Sequence, residues 1–250
     1  MLAIDTALEA CGAAVLDTDR EGGLTSRSMP MVRGHAEALM PMIAVVMSAA
    51  GIDFADLDRI AVTVGPGSFT GLRVGVAAAR GIALAAGKPA VGLTTLAALA
   101  APFFDIDDTK PLLAAIDARH NHVYMQLFGP GGHAPMAPRL ATLDDAIRAA
   151  SASPTRLVGN GAKLLHAAWP ADERRPLSVN SVRAPDIAWV ARLGAAAAVT
   201  AARATGAAEA TGMIGGAGAA GPTSATAGVR PLYLRGAGAK PQQTGTLPHL

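Results

Sequence analysis

The stretch Ile60–Gly87, IAVTVGPGSFTGLRVGVAAARGIALAAG, constrains this chain more than any other. An apolar strand over Asp58–Val64 enters a glycine-rich turn, and a helix over Gly71–Ala86 leaves it. Such a unit needs a sheet beneath the helix and further strands beside it. The flanking sequence supplies them. Leu2–Thr6 and Gly12–Asp17 read as a hairpin, and Leu24–Pro30 as a third strand. GHAEALMPMIAVVMSAAG places Leu39, Met42, Ile43, Val46, Met47 and Ala50 at helical spacing, closed by Gly51. Pro41 predicts a kink or a late start to that helix. Pro89–Leu93 is another strand, and Thr94 or Thr95 caps a helix running to Ala101.

The order β-β-β-α-β-α-β-α predicts a mixed sheet carrying helices. After the polar break DIDDTK (105–110) the hairpin theme returns in Leu112–Asp117 and His122–Phe128, followed by a Gly/Pro-rich loop (129–138). Helices near Thr142–Ala150, Ala162–Ala168 and Pro185–Ala202 complete a second lobe. The predicted organisation is a first lobe over 1–104, a smaller second lobe over 105–203 and a Gly/Ala connector over 204–228. Val229–Arg235, VRPLYLR, has enough apolar surface to rejoin the first lobe, and 236–250 reads as a loose tail. Each lobe opens on a hairpin bearing an aspartate, IDT at 4–6 and IDA at 116–118.

Composition narrows the chemistry. The 51% hydrophobic content is swollen by alanine and aromatics are 4%, so small aliphatic side chains must build the core and helices can approach closely. A net charge of +2, with 21 scattered Lys and Arg, does not make a nucleic-acid stripe. Cys11, the single cysteine, excludes disulfides and cysteine-based zinc sites. No run approaches the ~20 charge-free apolar residues of a membrane helix, and MLAIDTALEA lacks the features of a signal peptide. The expectation is a soluble, cytoplasmic protein with no membrane partner.

GPGSFTGLR (65–73) fails three familiar templates. A Walker A loop would put lysine at Leu72 or Arg73, a dinucleotide loop needs glycine at Thr70, and a nucleophile elbow needs glycines at Pro66 and Thr70. What remains is a helix N-terminus with Ser68, Thr70 and Arg73, able to touch an anion weakly. The preferred reading is a sharp strand-to-helix turn made by Pro66 and Gly67. Beyond it, Gly71, Gly75 and Ala79 recur every four residues, a face nearly without side chains. The 35–50 helix carries only Ser48 as a polar side chain after Pro41, so it needs cover on both sides. The two helices together suggest a protein–protein interface, with Gly75→Leu expected to block association and leave the monomer folded.

The remaining candidates are weaker. A metal helix would pair His35 with a histidine at 39, where Leu39 stands, so His35 reads as a cap or as a hydrogen bond near the loop. His120, His122 and Tyr124 would share one strand face, and no third ligand is evident. Asp117, Arg119 and Asn121 would share the other, with Asp117–Arg119 as a turn-stabilising pair. The glycine turn GNGA (159–162) could approach a base or simply connect strand to helix.

MLAIDTALEACGAAVLD, GHAEALMPMI, VTVGPGSFTGLRVGVAAARGIA, GLTTLAALA and AAIDARHNHVYMQLF together resemble the TsaB (YeaZ) family of bacterial tRNA threonylcarbamoyladenosine biosynthesis proteins. The resemblance is strong over 1–128 and thinner beyond, where VRPLYLR also fits. It implies an α/β, actin-like ATPase fold (the sugar kinase, Hsp70 and actin class) in two lobes. It further implies a non-catalytic subunit that binds and activates a TsaD-type paralogue in threonylcarbamoylation of adenosine 37 of tRNA. A TsaE-type small ATPase joins them, tRNA is met only indirectly, and a homodimer forms when the chain is alone. On this basis the partner interface comprises His35, Leu39, Met42, Ile43, Val46, Gly71, Gly75 and Ala79. Weak anion or nucleotide contacts fall to Asp5, Thr6, Ser68, Thr70, Arg73, Asp117 and Arg119. The hairpin turns after Asp5 and Asp117 lack the glycines by which active members reach ATP phosphates. No catalytic or metal-binding residue and no tightly bound cofactor is implied, with ATP or ADP admissible in the assembled complex. The competing reading is an active enzyme of the same fold, a small-molecule kinase or a metallopeptidase-like (glycoprotease-like) enzyme. Turnover of Mg-ATP, or stoichiometric zinc or iron, would mark it.

Overall fold

The computed structural model describes residues 1–197 and 229–234; the connector 204–228 and the tail 236–250 lie outside the described residues. The first sheet contains β1 (Leu2–Asp5), β2 (Ala10–Leu16), β3 (Leu24–Pro30), β4 (Ile60–Gly65) and β5 (Ala90–Thr94) in the order β3-β2-β1-β4-β5. The hairpin β1–β2 and the pair β2–β3 are antiparallel, whereas β4 joins β1, and β5 joins β4, in parallel. Helices α1 (His35–Ala50) and α2 (Phe69–Ala86) make the crossovers, and α3 (Thr95–Ile106) leads to the second sheet. That sheet holds β6 (Leu112–Asp117), β7 (His122–Phe128), β8 (Arg139–Thr142), β9 (Arg156–Val158) and β10 (Ser178–Asn180). Its order, β10-β9-β6-β7-β8, and its pairing senses repeat the first sheet strand for strand. Helices α4 (Leu143–Ser151) and α5 (Ala162–Ala167) belong to this half. One β-β-β-α-β-α-β unit used twice is the architecture of the actin-like ATPase fold.

Period-two alternation in β1 and β4 decides what covers each face. Leu2, Ile4, Ile60 and Val62 meet Leu39, Ile43 and Val46 of α1 and Val76, Ala79 and Ala83 of α2. Met1, Ala3, Ala14 and Ala61 face the other way, and a further helix, α6 (Ile187–Ala197), lies on them through Ile187, Val190 and Ala191. This corrects the expectation that 185–202 completes the second lobe. The alanine face of the first sheet would otherwise be bare, and its small side chains let α6 come close. A Cβ at Gly194 would stand 2.5 Å from that of Ala61, and one at Gly12 3.2 Å from that of Ile187.

Local signals fix the helix ends. Gly51 closes α1 at φ 69°, in the left-handed region open to glycine. Pro41 does not delay α1, which is helical from His35 and carries the proline inside it. The proline is on the exposed side, where water can reach the carbonyl left unpaired by its missing N–H. Ser68 caps α2 by accepting from the Gly71 N–H at 3.3 Å, so that helix begins at Phe69, earlier than the expected Gly71. At 18 residues and a mean hydropathy of 1.3, α2 is long and apolar enough to cross a membrane. One side of it packs into the core through Leu72, Val76, Ile82 and Ala83, while Arg73 and Arg80 are exposed.

The halves meet in one apolar cluster. Ala7, Leu8, Leu72, Leu96 and Leu99 pack against Leu112, Ala114, Ile116, Phe128 and Val158. Arg156, 8% exposed, ties the connection between them. Its Nη1 donates to the Phe103 carbonyl near the C-terminal end of α3 and its Nη2 to the Lys110 carbonyl, each at 2.9 Å. A cation suits the negative end of a helix, and burial keeps both bonds from water. Arg156→Met, which keeps the stem and removes both bonds, should cost roughly 2–4 kcal/mol of unfolding free energy in urea melts. A loss below about 0.5 kcal/mol would mean that the α3 terminus does not depend on this residue.

Candidate functional site at the first hairpin

The turn after β1 carries the residues from which an actin-like domain would be expected to do chemistry. Here the protein itself fills that turn. Asp5, Thr6 and Ala7 are each at most 1% exposed, and Leu8 only 9%. Thr6 donates its hydroxyl to the Gly71 carbonyl at 2.7 Å, and the Ser68 N–H donates to the Ala7 carbonyl at 2.7 Å. A Cβ at Gly67 would strike the Ala7 carbonyl, one at Gly71 the Thr6 carbonyl and one at Gly75 the Thr6 hydroxyl. The glycines of GPGSFTGLRVG therefore seat α2 on the chain's own hairpin turn. This corrects the reading of the 71–79 face as one awaiting another protein, and Gly75→Leu would disrupt the monomer.

Asp5 stands at the bottom of this contact. One carboxylate oxygen, Oδ1, accepts from the Thr63 hydroxyl at 2.5 Å and from the Ala7 N–H at 3.2 Å. Burial pushes its pKa up to about 6, against the opposing pull of those two hydrogen bonds and of His35. His35, also buried, donates from Nε2 to the Leu8 carbonyl at 3.2 Å and so props the turn from the α1 side. Cys11 is buried as well, and burial raises its thiol to about 11, which leaves it unreactive.

The structure thus brings Asp5, Thr6, Ser68, Gly71 and Gly75 together, with His35 across the turn. Thr70 is exposed on α2. Arg73 is engaged: its guanidinium lies 3.9 Å above the Phe69 ring and its Nε donates to the Tyr233 hydroxyl at 3.3 Å. Asp117 and Arg119 sit at the equivalent place in the second hairpin, paired at 3.3 Å. The Asp117 N–H donates to the Asn160 side chain at 2.9 Å, and Gly159 presses on the Ala115 carbonyl, as Gly71 does on Thr6. The GNGA turn is therefore the second half's counterpart of the 65–71 turn. Strand geometry does not continue past Asp117, because Arg119, His120 and Asn121 take φ of 64°, 53° and 56°. Arg119 and Asn121 consequently do not extend a strand face with Asp117. Nor do His120 and His122 line one, since His122 Nδ1 donates to the His120 carbonyl at 2.6 Å.

The other predicted interface residues are also internal. Leu39, Met42, Ile43, Val46 and Ala79 are all at most 5% exposed and lie in the apolar cluster over the first sheet. Their helices turn a different side to solvent: Met40, Pro41, Ala44, Val45 and Ala49 on α1, and Arg73, Ala77, Gly81 and Leu84 on α2. Two open cavities, of about 840 and 600 Å³, lie near the β2–β3 turn and beside His122, and neither is lined by Asp5, Thr6, Ser68 or Arg73. Among the described residues no three His, Cys, Asp or Glu side chains cluster tightly enough for a metal ion. Thr63 and the contact of Phe69 with Tyr233 escaped the sequence reading, which gives Arg73 as an anion contact and VRPLYLR only as a segment rejoining the first lobe.

Comparison with known proteins places these features. The sequence model of the tRNA N6-adenosine threonylcarbamoyltransferase family, TsaD, matches residues 22–207. The tRNA threonylcarbamoyladenosine biosynthesis protein TsaB of Haemophilus influenzae is 38% identical over 124 residues, 50% of this chain and 51% of that protein. A tRNA N6-adenosine threonylcarbamoyltransferase of Erythrobacter litoralis is 33% identical over 180 residues, 64% of this chain and 51% of that one. The chain thus spans about half the length of the curated relatives it matches. A crystal structure from Pseudomonas aeruginosa, of a protein with similarity to peptidase YeaZ, superposes with a TM-score of 0.71 at 26% identity. The match covers 94% of this chain and 98% of that one.

Two outcomes test the geometry. Native Asp5 holds its proton to about pH 6, whereas an unfolded aspartate releases it near 4. The folded state therefore binds more protons across that window, and stability falls as pH rises through it, by roughly 3 kcal/mol. Asp5→Asn keeps an acceptor for Thr63 and Ala7. Urea melts should find it equal to the parent near pH 4 and about 1–3 kcal/mol more stable near pH 7.5; a difference that stays constant with pH would reject the burial of this charge as the cause. Gly71→Ala should cost at least about 3 kcal/mol, because its Cβ meets backbone that cannot swing away. A melt within about 1 kcal/mol of the parent would refute the seating contact.

Proposed function

This chain belongs to the tRNA N6-adenosine threonylcarbamoyltransferase family as a TsaB/YeaZ-like member, and on that premise we propose that it is a non-catalytic partner subunit. It binds and activates a TsaD-type paralogue in the threonylcarbamoylation of adenosine 37 of tRNA. The observation that carries this reading is the solvent side of α1. Met40 and Val45 are 49% and 46% exposed, and Pro41, Ala44 and Ala49 complete a surface whose polar members are Glu37 and Ser48. A helix apolar on the side away from its own core is a docking surface, since water would otherwise cover it. Ala77, Gly81 and Leu84 of α2 extend the same kind of surface at close range, with Arg73 and Arg80 as charged neighbours. Small side chains allow a partner helix to approach, as they allow α6 to approach the sheet.

The filled hairpin turn supports the non-catalytic part of the proposal. Ala7 and Leu8 occupy the place where an active member would need open backbone for phosphates, and Leu39 is a core residue rather than a metal ligand. Metal, transfer chemistry and any ATP or ADP then belong to the assembled complex, with a TsaE-type ATPase as third member and tRNA reached through the paralogue. Without the partner, the same apolar surface would pair two copies of this chain.

Sizing chromatography of this protein with a TsaD-type subunit should give a 1:1 complex at micromolar concentration. Val45→Glu, on the exposed side, should weaken it by roughly 100-fold, the loss expected at a central apolar contact, and leave the melting curve unchanged. Absence of a complex, or full-strength association by the glutamate variant, would reject the proposal.

A further inference from the structure

Residues 229–234 lie against the turn that starts α2. Val229 is 2% exposed within the apolar cluster of α1, α2 and the first sheet. The Leu232 N–H donates to the Val64 carbonyl at 2.7 Å. Gly65, at φ 116°, makes room for this approach, since a Cβ there would stand 2.9 Å from the Leu232 carbonyl oxygen. One residue on, the Tyr233 ring rests on Phe69 with centroids 5.3 Å apart. Tyr233 also accepts from Arg73, and Arg73 stacks on Phe69, so each of the three side chains touches the other two. Phe69 and Tyr233 are each about half exposed, at 50% and 47%.

We infer that residues 229–234 are a clamp on the first turn of α2, latched by the Tyr233–Phe69–Arg73 contacts. Ordering six residues is costly in chain entropy. Buried Val229, half-buried Pro231, Leu232 and Leu234 and the Leu232 hydrogen bond offset part of that cost, and the latch adds the side-chain contacts that hold the Tyr233 end closed. Phe69, Arg73, Ala77, Arg80 and Leu84 follow one another at spacings of three and four, forming a single exposed stripe of α2. Closing the clamp therefore fixes the N-terminal end of that stripe, and opening it frees Phe69 and Arg73 to reorient. The device belongs to the free chain and stands or falls independently of any partner.

Hydrogen exchange on the full chain tests it through a reciprocity: if the ring contact is the latch, breaking it from either side loosens both ends. Tyr233→Ala should speed amide exchange over 66–72, and Phe69→Ala over 229–234, each by roughly ten-fold, the population change expected for one aromatic contact. Tyr233→Phe, which keeps the ring, should remain within about three-fold of the parent at both segments. Exchange over 112–128 should be unchanged in all three. Parent-like exchange over 66–72 in Tyr233→Ala, or acceleration spread equally to 112–128, would overturn the clamp.

Discussion

The close approach of α2 to the first hairpin turn is the contact on which the rest of this structure depends. Three glycines at 67, 71 and 75 leave space for the Ala7 carbonyl and for the carbonyl and hydroxyl of Thr6. That proximity lets the Thr6 hydroxyl donate to the Gly71 carbonyl and the Ser68 N–H donate to the Ala7 carbonyl across the gap. It buries Asp5 and its bond to Thr63 beneath them. With the turn pressed down, Ala7 and Leu8 become part of the apolar floor that joins the halves. The arrangement that stiffens the first half also fills the turn after β1 with the chain's own residues.

The second half repeats the device with other residues. Gly159 and Gly161 press on Ala115, and Asn160 reaches the Asp117 backbone, as the 65–71 turn presses on β1 and its hairpin. In both halves a glycine turn after the fourth strand locks the first hairpin. The halves are not interchangeable, because α6 covers the first sheet's alanine face from beyond the second half in sequence. That return, with the strap at 229–234, makes the chain's late residues part of the early fold.

The proposed function rests on surfaces rather than on a catalytic constellation. Asp5 and Thr6 of the first hairpin point inward and bond to Thr63, Ala7 and Gly71, and in the proposed role the exposed sides of α1 and α2 receive the partner. That proposed role needs a rigid helix pair with an apolar outer side, and the inward-facing polar cluster helps keep those helices fixed.

Much of the architecture was legible in the residues themselves. The order of strands and helices, the Gly51 cap, the repeated Asp-bearing hairpins and the likeness to a family over 1–128 all follow from local pattern. Strand and helix periodicities are properties of short stretches, and end signals act within one turn. The direction in which an apolar helix faces is not such a property. Where α1 is apolar all round, periodicity could not say which side met the sheet, so Leu39, Ile43 and Val46 read as surface and Met40 and Val45 were passed over. The small face of α2 was visible as glycines four apart, but whether its neighbour was a partner or Thr6 depended on a strand some 65 residues earlier. Likewise only tertiary structure put α6 on the first sheet and Tyr233 on Phe69. The sequence by itself determined the elements and the family; the tertiary structure decided which faces are inside, because burial is settled between segments distant in the chain.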